Sequence, residues 1–96
     1  MIPAPPPDLA GHLADLFRET GAAHHQAFSD TDGADPEWPR WYARYLRDHI
    51  DILVGRSFTE DELADFFVMA EREHSLRSPT ADWPVFYAAL FVQRQT

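Results

Sequence analysis

Residues 59–74 read TEDELADFFVMAEREH, and this stretch carries the clearest fold signal in the chain. Thr59 and Glu62 have the spacing of a capping box, in which the two side chains satisfy the first backbone N–H groups of a helix. The three acids after Thr59 suit the positive end of the helix dipole. Apolar residues then recur at helical spacing, so the pattern predicts a helix that ends near Leu76. Its predicted buried face consists of Leu63, Phe66, Phe67, Ala70 and His74.

The same pattern occurs earlier in the chain. Two pairs of windows match in the same order: LADLF at 13–17 with LADFF at 63–67, and WPRWYA at 38–43 with WPVFYA at 83–88. Continuing the first register places His24 on His74. Matches in fixed order indicate a duplicated unit, although two amphipathic helices with proline starts could also converge on such residues. Either origin predicts an all-α four-helix bundle of two antiparallel hairpins, 8–55 and 59–95, whose apolar faces pack together or dimerise.

The other boundaries follow from capping, glycine and proline signals. Asp8 is the expected N-cap of the first helix, Gly21 is a possible break in it, and Gly55 is the expected stop of the second. Residues 1–7 are expected to form an extended proline-rich arm, which leaves 8–96 as a single helical domain. The expected helices span 8–28, 39–54, 59–76 and 84–94.

The composition excludes several classes of site. Among the 96 residues, sixteen acids oppose eight bases, all arginine, and Lys, Cys and Asn are absent. The net charge of −8 argues against nucleic-acid binding, and the missing residues exclude thiol nucleophiles, Cys-ligated zinc and Schiff-base chemistry. No apolar run is long enough for a membrane span, and no signal region precedes the first helix. We therefore expect an acidic, cytoplasmic protein. The absence of Lys and Asn, whose codons are AT-rich, beside plentiful Ala, Arg, Asp and Pro suggests a bacterial source with a GC-rich genome.

Candidate metal ligands gather at one end of the predicted bundle. Helices 1 and 3 end there, and helices 2 and 4 begin there. Glu71 and His74 have the Glu-x-x-His spacing of bundle metal sites, and His24 occupies the equivalent position in the first half. One hypothesis is therefore a divalent-metal site of His24, Glu71 and His74; the alternative is that both histidines are hydrogen-bonded within the bundle.

Aromatic residues gather at the same end. They can close the bundle as packing residues, or they can form a concave surface that holds a flat or cationic small molecule. The sequence leaves both interpretations open. The residues concerned are Trp38, Tyr42, Trp83 and Tyr87.

The second helix offers a different candidate surface. Arg40, Arg44 and Arg47 form a stripe beside Trp41. The last two arginines each precede an aspartate by four residues, which predicts a solvated, self-paired face. Arginine beside aromatic residues is also typical of protein contacts, so Trp41 and Arg44 are candidates for self-association or for contact with a protein partner. The wide apolar arc of this helix is predicted to include Tyr45, His49 and Ile52.

Several of these segments together resemble a group of small helical bacterial proteins of uncharacterised function. The resemblance is carried by HHQAF at 24–28, DGADPEWP at 32–39, WYARYL at 41–46 and DWP at 82–84. It implies an all-helical fold with paired halves and brings no activity, cofactor or catalytic residue. The sequence favours a non-enzymatic protein-interaction or accessory module without a cofactor. The alternative is a metal- or small-ligand-binding bundle with its site at the His24/His74 end.

Overall fold

The computed structural model describes residues 8–95, which form four α-helices and contain no strand. Helix α1 spans Leu9–Ala27, α2 Trp38–Val54, α3 Glu60–Arg77 and α4 Trp83–Gln95, and a 3-10 turn at Ser29–Thr31 lies between α1 and α2. The all-α prediction is therefore confirmed. The predicted proline-rich arm lies outside the described residues. Within the described part of the chain, no helix combines the length and the apolar character that crossing a membrane requires.

The four helices pack in a closed cycle. Helix α1 packs against α2 and α4, and α3 packs against the same two helices. The connections between consecutive helices are short, so neighbours along the chain run antiparallel. This arrangement is the four-helix bundle that the repeated pattern predicts.

Matched residues of the two halves meet in the core. Phe17 of α1 and Phe67 of α3 are fully buried, and their rings pack edge to face with centroids 5.6 Å apart. Leu13 and Leu63, one turn earlier on each helix, are also buried. Burial of apolar surface is the dominant favourable term in folding, so this shared interior holds the two hairpins together.

Most helix ends follow the sequence signals. Thr59 Oγ1 accepts a hydrogen bond from the Glu62 N–H (3.0 Å), and Glu62 Oε1 accepts one from the Thr59 N–H (2.9 Å), which confirms the capping box. Gly55 ends α2 with a left-handed φ of 82°, a conformation that glycine adopts without steric cost. Asp8 occupies the N-cap position of α1, but its side chain makes no capping hydrogen bond. Helix α1 continues through Gly21 without a break.

Two helix starts and one helix face differ from the predictions. Helices α2 and α4 begin at Trp38 and Trp83, one residue before the expected starts, because the first turn does not need the N–H that the following proline lacks. The buried face of α2 is also narrower than predicted. Tyr45 and His49 are exposed, and Ile52 is 84% exposed, since α2 packs mainly against α1 and α3 and its remaining side faces solvent.

Candidate functional site

A pocket opens at the end of the bundle where α1 and α3 end and α2 and α4 begin. Its volume is about 360 Å³, near the lower limit of small-molecule sites, which occupy roughly 300–1,000 Å³. Helices α2, α3 and α4 each supply two of its lining side chains. The six lining residues are Trp38, Tyr42, Glu71, His74, Trp83 and Tyr87. The structure thus brings together all four aromatic residues of the predicted cluster, with two of the predicted metal ligands.

The repeated sequence W-P-x-x-Y builds two walls of this pocket. In each copy the Trp is the first residue of its helix and the Tyr follows four residues later, so both side chains lie on one helix face. The rings of Trp38 and Tyr42 are 5.0 Å apart and inclined by 73°. Those of Trp83 and Tyr87 are 5.1 Å apart and inclined by 65°. The two copies therefore present the same aromatic pair.

The aromatic rings enclose a concave space. Tyr42 and Trp83 join the two pairs, with centroids 6.2 Å apart and planes inclined by 44°. His74 extends the series beyond Tyr87 at 6.2 Å and 81°. Neighbouring rings are inclined in this way at every step, so the lining contains no slot between parallel faces.

Gly21 of α1 allows the indole of Trp83 to lie close to the helix backbone. A Cβ atom at this position would lie 2.7 Å from Trp83 Cζ2 and 3.3 Å from Tyr42 Oη, which is too close for the present ring position. Sequence reasoning treats Gly21 only as a weak point of the helix and misses this role. The alignment of the two halves contains a signal for this role, because α1 has a glycine at the position where α3 has Glu71.

Burial and charge keep the two tyrosines of the pocket protonated. Burial raises the pKa of the Tyr42 phenol above its ordinary value of 10.0. Burial also raises the pKa of Tyr87 far above 10.0, and the negative charge of Glu71 and then Tyr42 add to the effect. Glu71 is itself fixed by a hydrogen bond from Ser75 Oγ to its Oε1 (2.9 Å). Glu71 is thus the acidic residue of the pocket, beside two neutral phenols.

His24 lies behind the aromatic wall and does not line the pocket. Its Nε2 donates to Asp35 Oδ2 at 3.0 Å, and the two side chains are only 7% and 9% exposed. Its ring packs on Phe28 at 4.7 Å, on Trp41 at 5.1 Å and on Tyr42 at 5.4 Å. His24 therefore ties the end of α1 to the connection that leads into α2.

The predicted metal ligands are not assembled into one site. His74 Nε2 donates to the Ala81 carbonyl oxygen at 2.7 Å, and His24 Nε2 donates to the Asp35 carboxylate, so each of these protons is held by a different connection between helices. Glu71 and His74 line the pocket, whereas His24 lies on the far side of Tyr42. Among residues 8–95, no three His, Cys, Asp or Glu side chains are grouped so that they could hold a metal ion.

Two arginines of α2, Arg40 and Arg44, pair with α3 instead of with their own helix. Arg40 Nη1 and Arg44 Nε donate to the same oxygen, Glu60 Oε1, at 3.0 and 3.1 Å. Asp51, the predicted partner of Arg47, instead accepts a backbone N–H from the connection between α2 and α3 (3.0 Å). The prediction of pairing within α2 is therefore wrong at these positions. The two arginine contacts lower the pKa of Glu60 below its ordinary value of 4.5.

Trp41 belongs to this arginine face and not to the pocket. Its ring stacks on that of Tyr45, with centroids 5.2 Å apart and planes inclined by 11°. Arg44, which is 69% exposed, lies on the same side of α2. The candidate contact residues thus divide between two separate surfaces.

Comparisons with known proteins assign no family to this chain. No protein-family profile, curated protein or solved structure matches it. The resemblance drawn from the sequence stays a prediction.

Proposed function

We propose that this protein is a non-enzymatic interaction module that binds a small molecule, or a protruding group of a partner, in the pocket of Trp38, Tyr42, Trp83 and Tyr87. The single observation that carries the proposal is the concave aromatic lining at the open end of the bundle. A pocket lined mainly by aromatic side chains with a few polar groups is the usual form of a binding site.

The polar groups of the pocket support binding more than they support catalysis. The His74 Nε2 proton is held by a backbone carbonyl, the Glu71 carboxylate accepts a hydroxyl from its own helix, and both phenols stay neutral. None of these contacts pairs a nucleophile with a base, which is the arrangement that nucleophilic catalysis needs. They hold the shape and the charge of a recognition surface.

The three tryptophans allow this proposal to be tested without altering the protein. Trp38 and Trp83 line the pocket, whereas Trp41 lies on the arginine face. A library of small organic molecules and short peptides should therefore contain members that shift the indole N–H signals of Trp38 and Trp83 in ¹H–¹⁵N spectra and leave that of Trp41 in place.

Matched variants complete this test. Trp38→Leu should weaken such binding, and Trp41→Leu should leave it unchanged. A library that moves no indole signal, or that moves all three equally, would contradict a site at this end of the bundle.

A second candidate function is self-association through the arginine face. The observation that favours it is the stacked pair of Trp41 and Tyr45 beside Arg44, since exposed aromatic residues next to arginine are enriched in protein contacts. Light scattering coupled to size exclusion would show a dimer for the native chain and a monomer for the Trp41→Ala, Arg44→Ala double variant. Equal masses would remove this candidate.

The internal duplication of the chain is also a proposal. It is supported by the equivalent positions of Leu13 and Leu63 in the core and by the two W-P-x-x-Y walls. Under this proposal the halves have since diverged, with a glycine at position 21 and a glutamate at position 71.

A further inference from the structure

The pocket combines aromatic faces with one carboxylate and contains no arginine or lysine. Its six lining residues include Glu71 as the acidic group, and the whole chain has a net charge of −8 without any lysine. Arg18 approaches this end of α4, but it is paired with Asp82 by hydrogen bonds of 3.4 and 2.8 Å. Glu71 is therefore the acidic group of a lining in which His74 is the remaining titratable nitrogen base.

The faces of Trp and Tyr rings attract cations, because the ring quadrupole places negative charge on each face. Recognition of methylated ammonium groups typically uses several such rings around the cation. The rings of Trp38, Tyr42, Trp83 and Tyr87 follow one another at 5.0, 6.2 and 5.1 Å with mutual inclinations of 44–73°. Trp38 and Trp83 are half-buried, whereas Tyr42 and Tyr87 are only 9% and 4% exposed. The two indoles therefore supply most of the ring surface that a ligand can reach.

Other ligand classes fit this lining less well. A planar aromatic ligand stacks best between parallel rings, and neighbouring rings of the pocket are inclined. An anion would meet the carboxylate of Glu71 and the excess negative charge of the chain. A volume of about 360 Å³ also favours a small head group over an extended molecule.

We propose that the pocket binds a methylated ammonium group, with the half-buried indoles of Trp38 and Trp83 against the cation, Tyr42 and Tyr87 completing the lining, and the Glu71 carboxylate as the counter-charge. This inference rests on the proposed function, which places a binding site in this pocket. The same chemistry occurs in free quaternary amines such as choline and in trimethyllysine side chains of peptides. Glu71 is exposed and accepts a hydrogen bond from Ser75 Oγ of its own helix at 2.9 Å.

The decisive experiment compares choline with 3,3-dimethyl-1-butanol, its neutral isostere of nearly equal shape, by calorimetry and by the indole signals of the full chain. The cation should bind about tenfold more tightly, because the ring faces and the Glu71 carboxylate attract its charge, which the neutral isostere lacks. Equal affinity would overturn the inference and leave the proposed pocket intact. Binding of neither compound, nor of a trimethyllysine peptide, would overturn the inference, and the library screen then decides the proposed function by itself.

Two variants separate the contributions of charge and aromatic faces. Glu71→Gln removes an exposed charge that the core does not need, so it should weaken choline binding about 1.4- to 5-fold and leave binding of the neutral isostere unaffected. Trp83→Leu should weaken choline binding about 2- to 30-fold, and Trp41→Leu is its matched control. Circular dichroism of each variant verifies folding, and unchanged choline affinity in both pocket variants would overturn the assignment.

A titration with peptides identifies the source of the ammonium group. The same short peptide is titrated with lysine and with trimethyllysine at one position. A trimethyllysine peptide that binds more tightly than choline assigns a protein partner to the pocket, and the reverse order assigns a free small molecule. A peptide whose methylation leaves the affinity unchanged, together with weak choline binding, counts against the inference.

Discussion

The contact between His24 and Asp35 gives the sharpest test of the fold at the pocket end. The Asp35 carboxylate accepts the His24 Nε2–H through Oδ2 at 3.0 Å and the Glu37 backbone N–H through Oδ1 at 3.0 Å. The change Asp35→Ala removes both acceptors at once. It leaves a buried imidazole N–H, 7% exposed, without a partner.

The expected cost can be worked from these contacts. A hydrogen bond to a charged group contributes about 1.5–3 kcal/mol, and the second hydrogen bond, from the Glu37 N–H in the turn before α2, contributes about 0.5–1.5 kcal/mol. The backbone can relax to recover part of this, so we expect Asp35→Ala to lower the free energy of unfolding by about 2–3 kcal/mol. For a domain of this length the melting temperature should fall by on the order of 10–20 °C.

The assay is urea unfolding followed by circular dichroism, with Asp82→Ala as the matched control. Asp82 sits near the start of α4, as Asp35 sits near the start of α2, but the side chains of its pair with Arg18 are 54% and 52% exposed. Exposed ion pairs contribute little to stability, so the control should unfold close to the native chain. An Asp35→Ala protein as stable as the Asp82→Ala protein would refute the reasoning from burial.

Three further tests concern two glycines of α1, the carboxylate of Glu60 and the two tyrosines of the pocket. Gly11→Ala should raise the free energy of unfolding by up to about 1 kcal/mol, because the atoms nearest to its Cβ would be those of the exposed Asp8 carboxylate, which can rotate away. Gly21→Ala should bring no such gain, because its Cβ would lie 2.7 Å from an indole carbon of Trp83. Urea denaturation measures both changes, and equal gains would contradict the close contact at Gly21. The pKa of Glu60 in the folded chain is lowered from 4.5. The ionised carboxylate therefore stabilises the fold above pH 4.5, and this stabilisation is lost as the pH falls through the folded-state pKa. The Glu60→Gln variant should show a smaller loss of melting temperature at acidic pH than the native chain. The pKa values of Tyr42 and Tyr87 are raised above 10.0. Their protonated forms therefore stabilise the fold below pH 10, and this stabilisation is lost as the pH rises through the folded-state pKa values. Phenolate absorbance should show two tyrosines that ionise at a higher pH in the folded chain than in the urea-unfolded chain.

Signals that act within one helix were predictable from the sequence. The capping box of Thr59 and Glu62 and the left-handed stop at Gly55 depend on neighbouring residues alone, and both occur as expected. The pocket residues were also predictable, because in an antiparallel bundle α1 and α3 end where α2 and α4 begin. The spacing of Trp38 and Tyr42 then puts both on one face.

Contacts that depend on the path of a connection or on the approach of another helix were not predictable. Asp35 reaches His24 only because the connection after α1 folds back over the helix end. Arg40 and Arg44 can pair with Glu60 only when α3 packs closely beside α2. Periodicity specifies which face a residue occupies, but it does not specify which charge on the neighbouring helix lies opposite.

The walls of the pocket come from both hairpins, and this has a thermodynamic consequence. Trp38 and Tyr42 belong to the first hairpin, whereas Glu71, Trp83 and Tyr87 belong to the second. An occupant touches both halves at once and is released when they separate, so its binding free energy opposes melting of the whole bundle. At a concentration one hundred times its dissociation constant, an occupant would add about 2.7 kcal/mol to the stability of the chain. A thermal melt in the presence of candidate compounds thus reports occupancy directly, without any label.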